Sequence, residues 1–164
     1  MTTKEYNTAV DEWGNRLYRM IYQNLRDEDE SKNLVQDAFE VLWMNKGDVE
    51  NEQVKSFLFT TGYRKMIDLI RRNDRFRKIM GEMNVETTHD TSSALHARQM
   101  LELAFEKLET KFKNVILLRD QEGYSYEEIA DITGQSLAQV RTNLFRGRSK
   151  MKSIIGQLEG YSTL

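Results

Sequence analysis

Apolar residues recur every three or four positions through most of the chain, the spacing of helices that bury one face. From Lys4 to Leu25 the residues Val10, Trp13, Leu17, Ile21 and Leu25 share such a face. Asp27 is placed to cap a second helix, with Glu30 three residues on as its capping-box partner. In that helix Leu34, Val35, Ala38, Phe39, Leu42 and Trp43 form a wide stripe that ends near Gly47, and a buried core helix is expected. Its other face carries Lys32, Asn33, Gln36, Asp37 and Glu40, a polar surface for solvent or for docking. A third helix is predicted from about Asn51 to about Asn73, with Val54, Phe57, Leu58, Thr61, Met66, Ile67 and Ile70 inward and Gly62 permitting close helix contact.

Periodicity then lapses. Residues 81–97, which gather Thr, Ser, Asp and Asn, read as a linker. Beyond it come a helix over about Arg98 to Leu108 (Met100, Leu101, Leu103, Ala104 and Leu108) and another over about Thr110 to Asp120, stopped by Gly123. Ser125 with Glu128 and Ser136 with Gln139 form two capping boxes, opening a short helix and a longer one that reaches about Ile155. The fold class is therefore all-α: two small helical domains, residues 1–80 and 98–164, joined by a flexible linker.

Composition narrows the chemistry. The 164 residues include no Cys, which excludes disulfides, thiolate catalysis and Cys-ligated metal sites. The absence of Pro suits long uninterrupted helices. His89 and His96 lie in or beside the linker with no third ligand at metal spacing, so neither a metal nor a cofactor is expected. No glycine-rich phosphate loop and no His-Glu-x-x-His motif is present, which leaves no catalytic residue to name and argues against an enzyme. The longest apolar run, Val115 to Leu118, is far short of a membrane span, and the N-terminal stretch lacks the basic and apolar regions of a secretory signal. A cytoplasmic protein without membrane insertion is the expectation.

The net charge of −2 conceals an uneven distribution. Residues 1–60 carry 7 basic and 12 acidic groups (−5), residues 61–80 carry 7 and 2 (+5), residues 81–135 carry 5 and 11 (−6), and residues 136–164 carry 5 and 1 (+4). Two basic blocks in an acidic background point to two phosphate-facing surfaces. On the third helix Arg64, Asp68, Arg71, Arg72 and Arg75 share a face, and Phe59 and Tyr63 are placed beside it. Cations with interleaved rings suit single-stranded nucleic acid, although the same two rings are equally compatible with the core.

The second basic block has the spacing of a helix-turn-helix. Ala130 allows close approach of two helices, Gly134 supplies the turn, and Val140 plugs the angle between them. At 100° per residue, Leu137, Val140, Leu144 and Met151 form the inner seam of the last helix. Gln139, Thr142, Phe145, Arg146 and Ser149 lie opposite, with Arg141 on the flank. Arg and Gln read base edges in a major groove and a phenyl ring packs on a thymine methyl; Arg148, Lys150 and Lys152 are placed as phosphate contacts.

These residues resemble the extracytoplasmic-function (ECF) group of bacterial RNA polymerase sigma factors, over nearly the whole chain. LVQDAFEVLW is similar to the region 2 core, KSFLFTTGYRKMIDLIRR to the promoter-melting helix, and YSYEEIADITGQSLAQVRTNLFRGRSKM to region 4. The resemblance implies that Asn33, Gln36, Asp37, Glu40 and Trp43 dock the β′ clamp helices of core polymerase, with the β flap as a second contact. It implies that region 2, through Phe59, Tyr63, Arg64, Arg71, Arg72 and Arg75, opens the −10 element and that region 4 reads the −35 duplex. An anti-sigma factor is a further partner of this kind of protein. The chain departs from the pattern in two places: Gly62-Tyr63-Arg64 replaces an Ala-Arg-Asn-like stretch, and Leu108-Glu109 stands where the family often has Leu-Pro.

A stand-alone helix-turn-helix regulator is the alternative. It accounts for the C-terminal half but not for a basic helix far outside it. The acidic background separates the two, because it opposes the long-range steering that strongly basic binders enjoy. The free chain is predicted to bind promoter duplex poorly and to gain selectivity only with core polymerase. A gel-shift comparison of free protein and holoenzyme checks this, and tight sequence-specific binding by the free protein would favour the regulator.

Overall fold

In a computed structural model the described residues are 1–81 and 96–162. They form seven helices and no strand: α1 Thr3–Leu25, α2 Glu28–Met44, α3 Val54–Met80, α4 His96–Lys107, α5 Thr110–Ile116, α6 Tyr126–Thr133 and α7 Leu137–Ser162. A short 3-10 turn, Asn51–Gln53, leads into α3, and a π-type turn, Leu117–Gln121, prolongs α5. The chain divides into two compact units, the first built on Met1–Gly81 together with Ala130–Gly134 and the second on the other described residues. Most of the expected linker, with His89, lies outside the described residues. His96 is half-buried in the first turn of α4.

In the first unit α1, α2 and α3 pack on one another in all three pairings. Local chemistry sets the helix starts. Thr2 and Glu5 close a reciprocal capping box on α1, and Asp27 accepts the Glu30 N–H at 3.0 Å to start α2. Leu17, Met20, Ile21, Ala38, Leu42, Leu58, Phe59 and Met66 are essentially sealed from solvent. Val10, expected on the inner face of α1, is exposed, while its neighbour Ala9 is buried. Trp43, expected in the core stripe of α2, lies at its edge, 37% exposed. α3 runs seven residues past its expected end, and all of 71–80 is exposed.

Gly62 does what its position suggested. A Cβ there would lie 2.8 Å from Cδ1 of Leu17, so α1 and α3 meet at a distance that a side chain would forbid.

In the second unit α7 packs on both α4 and α5. Met100, Ala104, Phe105, Leu108, Phe112, Val115, Ile116, Leu118, Val140, Leu144 and Met151 are buried. Leu101, assigned to the inner stripe of α4, is 45% exposed, and Phe105 is buried in that stripe instead. The α-helical part of α5 ends at Ile116 rather than near Asp120. The Glu122 N–H reaches back five residues to the Leu117 carbonyl at 3.0 Å, and Gly123 closes the turn with φ of 76°. Both expected capping boxes are present: the Ser125 N–H donates to Glu128 and the Ser136 N–H to Gln139, with each hydroxyl accepting in return.

The glycines give a test of sign. Alanine at an exposed helical position gains up to about 1 kcal/mol over glycine, whereas overfilling a packed contact costs about 1–3 kcal/mol. Gly62→Ala is therefore expected to lower stability and Gly156→Ala, whose Cβ would meet nothing within 4 Å, to raise it. Chemical denaturation of both variants beside the parent measures the two signs.

Candidate nucleic-acid and polymerase interfaces

The capped turn between α6 and α7 determines what α7 presents. Gly134 takes φ of 71° and its N–H bonds the Ala130 carbonyl at 2.9 Å, after which Ser136 starts α7. Val140 is fully buried and Leu144 and Met151 nearly so, while Leu137 is half-buried. Gln139, Arg141, Thr142, Phe145, Arg146 and Ser149 are all exposed on the other side. Phe145, 75% exposed, stands out, because burying a phenyl ring is worth about 1.5–3 kcal/mol and this ring forgoes it. It borders a shallow groove of about 430 Å3 whose walls are Tyr126, Leu144 and Ser149 and whose cations are Arg141, Arg148 and Lys152. The Gln139 side-chain oxygen accepts the capping N–H of Ser136 at 2.8 Å, which leaves its amide NH2 as the group not used by the cap.

Arg148 and Lys150, expected as phosphate contacts, have carboxylate partners. Each is held by a carboxylate of its own unit: Arg148 by Asp120 through two hydrogen bonds of 2.6 and 3.3 Å, Lys150 by Glu109 at 2.9 Å. The Lys150 hydrogen bond is the main reason that the Glu109 carboxyl titrates below its ordinary value, and Asp120 raises the Arg148 guanidinium above its own. Sequence spacing could not reveal either pair, since their members are 28 and 41 residues apart.

On α3 the arginines Arg64, Arg71, Arg72 and Arg75 are exposed as expected. The two rings assigned beside them are not. Phe59 is fully buried and Tyr63 is 8% exposed, and burial raises the Tyr63 hydroxyl above its usual range. Both therefore belong to the core of the first unit, the alternative that periodicity had left open, and neither can stack on a base where it stands. The exposed aromatic of this helix is Phe76, at 59%, with Ile79 and Met80 beyond it. Arg64 also lines a groove of about 440 Å3 between α3 and the segment after α2, with Asn45, Asp48, Ser56, Phe57, Thr60 and Thr61. Sequence analysis missed this groove, whose polar residues come from two separate stretches of chain.

The polar face of α2 is intact: Asn33, Gln36, Asp37 and Glu40 are exposed. Trp43 sits at its end, its ring edge-on to Tyr6 at 5.0 Å and covered by the Lys46 ammonium at 3.6 Å. The Tyr6 hydroxyl donates to the Phe39 carbonyl at 3.1 Å, which holds this edge in place, and Met44 extends it as a 72% exposed side chain. Among the described residues no group of three or more His, Cys, Asp or Glu could hold a metal ion, and no helix is long and apolar enough to cross a membrane.

A capped helix-turn-helix with an aromatic and cationic outer face, accompanied by a separate helical unit with its own arginine face, defines a two-part helical DNA-binding protein. Comparison with known families makes this specific. Residues 9–76 match Sigma-70 region 2 and residues 98–151 match Sigma-70, region 4, which together take in most of the chain. The chain belongs to the sigma-70 family, in its extracytoplasmic-function group, and is an RNA polymerase sigma factor that directs promoter-specific initiation of transcription. It is 26% identical over 146 residues to RNA polymerase sigma factor SigV of Bacillus subtilis, covering 88% of this chain and 87% of that protein. It is 28% identical over 152 residues to RNA polymerase sigma factor YlaC of the same organism, covering 83% and 88%. Among solved structures, the sigma factor RpoE of Bartonella quintana, in complex with the anti-sigma factor NepR, shares the fold with a TM-score of 0.79 at 19% identity, over 94% of this chain and 98% of that one. The region 2 match over the first unit removes the reason for reading the chain as a stand-alone regulator.

The reassignment of Phe59 has a measurable consequence. Truncating a sealed aromatic costs about 3–5 kcal/mol, so Phe59→Ala is expected to lower the melting temperature of the first unit's transition markedly. Phe76→Ala, at an exposed position, is expected to leave it within about 0.5 kcal/mol of the parent. Circular-dichroism melts of the two variants distinguish core from surface.

Proposed function

We propose that the two halves divide initiation between them, with residues 1–80 acting as region 2, residues 81–97 as the linker and residues 98–164 as region 4. The α7 face carries the reading most directly: Phe145, 75% exposed, lies between exposed Thr142 and Arg146 on the second helix of a helix-turn-helix. In a major groove, Arg141 and Arg146 reach base-edge acceptors, the Phe145 ring and the Thr142 methyl pack on thymine methyls, and Gln139 and Ser149 complete the face. This is the −35 contact. Lys152 and Arg148 face the same groove and serve the phosphates, with Lys150 beside them.

Region 2 supplies the −10 contact through Arg64, Arg71, Arg72 and Arg75. With Phe59 and Tyr63 in the core, the groove that Arg64 shares with Asn45, Ser56 and Thr60 takes the unpaired base in their stead. It offers donors and acceptors to a base edge and an arginine to its phosphate, at a place where strand separation exposes both. The polar face of α2, Asn33, Gln36, Asp37 and Glu40 with Trp43 at its end, is the surface for the β′ clamp helices of core polymerase, and the β flap meets region 4. The protein acts by binding and not by catalysis, uses no cofactor and works in the cytoplasm. An anti-sigma factor, such as the one bound to the Bartonella quintana protein of the same fold, is a further partner.

Run-off transcription with core polymerase on genomic fragments, including the protein's own upstream region, identifies the promoter and tests the whole reading. On that promoter, Arg141→Ala, Thr142→Ala, Phe145→Ala and Arg146→Ala are each expected to reduce −35 recognition by about 1–3 kcal/mol where the side chain makes a good base contact. Unchanged promoter preference across all four would remove this face from the −35 contact. Arg64→Ala is expected to slow the appearance of permanganate-reactive thymines while leaving the closed complex intact, and a pre-melted template is expected to rescue it.

A further inference from the structure

Two cations on α7 are already paired before any DNA arrives, and both carboxylates come from one side of the second unit. Glu109 precedes α5 and Asp120 lies in the π-type turn that follows it. α7 approaches this element closely: a Cβ on Gly147 would lie 3.0 Å from Cβ of Phe112, and that contact brings positions 148 and 150 within reach of the two acids. Asp120 meets the Arg148 fork with both oxygens, the geometry that a phosphate also takes. Glu109 bridges Lys150 at 2.9 Å and Lys111 at 3.8 Å, and the Lys150 ammonium lies 4.6 Å from the centre of the Phe112 ring. At the start of α5 Glu109 makes no side-chain cap, so its carboxylate is left to the lysines.

We propose that Asp120 and Glu109 act as built-in competitors for DNA phosphate, holding down the sequence-independent part of region 4's affinity without touching the residues that read bases. The proposal rests on the −35 reading of α7. All four side chains are about half exposed, at 50% and 48% for Arg148 and Asp120 and 51% and 57% for Lys150 and Glu109, so each pair is weak enough for a phosphate to replace. When a phosphate takes Arg148 from Asp120, the freed carboxylate must recruit a cation of its own. The net release of counterions from DNA is then smaller than for an unpaired arginine, and both affinity and its salt dependence fall. The chain's acidic background is thereby given a local form at the place where it matters for DNA.

The test uses holoenzyme retained on two fragments, one with the promoter's upstream element intact and one with that element scrambled, over a range of salt. Asp120→Asn and Glu109→Gln keep shape and remove charge. Each is expected to raise affinity for both fragments by the same factor, about two- to fivefold, and to steepen the salt dependence by up to about one unit. In an Arg148→Ala background Asp120→Asn is expected to give no further gain, which separates competition for that arginine from a general loss of negative charge. Unchanged or weaker binding by the acid variants overturns the proposal, weaker binding showing that the acids position the cations for DNA; so does a gain that persists without Arg148. Phe145→Ala in the same assay reports on the reading face alone: if it leaves the ratio between the two fragments unchanged, the −35 reading fails independently of the result for the acids.

Discussion

The rotation of α7 about its own axis is the constraint on which the outer surface of the second unit depends. Val140, Leu144, Gly147 and Met151, spaced four, three and four apart, are buried along one line, with Gly147 pressed against Phe112 and Ile116 of α5. A helix seated on such a line cannot turn by one residue without moving 100° and exposing its seam. Everything outward follows from this: Arg141, Thr142, Phe145 and Arg146 face solvent because Val140 and Leu144 do not. The outer face of α7 is thus held by hydrophobic burial on its opposite side.

The same logic runs through the first unit. Leu17 and Gly62 set how near α1 comes to α3, and the sealed residues Phe59 and Met66 set which side of α3 is left for its arginines. α2 shows its polar face because Leu34, Ala38, Phe39 and Leu42 are all committed to the interior. The edge of that face is less regular. Trp43, at the end of the stripe, meets the Tyr6 ring and the Lys46 ammonium, so that an aromatic surface is held beside exposed acids. Such a surface is suited to a protein partner, where a buried aromatic anchor and a polar rim share the contact.

The segment sums of +5 and +4 count cations without regard to their partners. On α7, Arg148 and Lys150 are already engaged by carboxylates of the same unit, which offsets part of their charge before a duplex approaches.

Periodicity and capping chemistry by themselves determined the all-helical class, both capping boxes of the helix-turn-helix, the inner seam of α7 and hence its outer face, because each is a property of residues within a turn or two of one another. The close approach at Gly62 was legible for the same reason: a lone glycine on an apolar helical face has little else to do. What only the tertiary structure decided is where two faces of comparable polarity compete or where distant segments meet. Phe59 and Tyr63 had a helical spacing that suited either core or surface, and the space left by α1 and α2 took them inside. Val10 and Leu101 had the right spacing for burial but are only partly covered. The groove at Arg64 and the pairs Asp120–Arg148 and Glu109–Lys150 join residues from separate elements. One-dimensional spacing carries no information about such meetings, because the path of the chain between the partners is set by packing and not by the partners themselves.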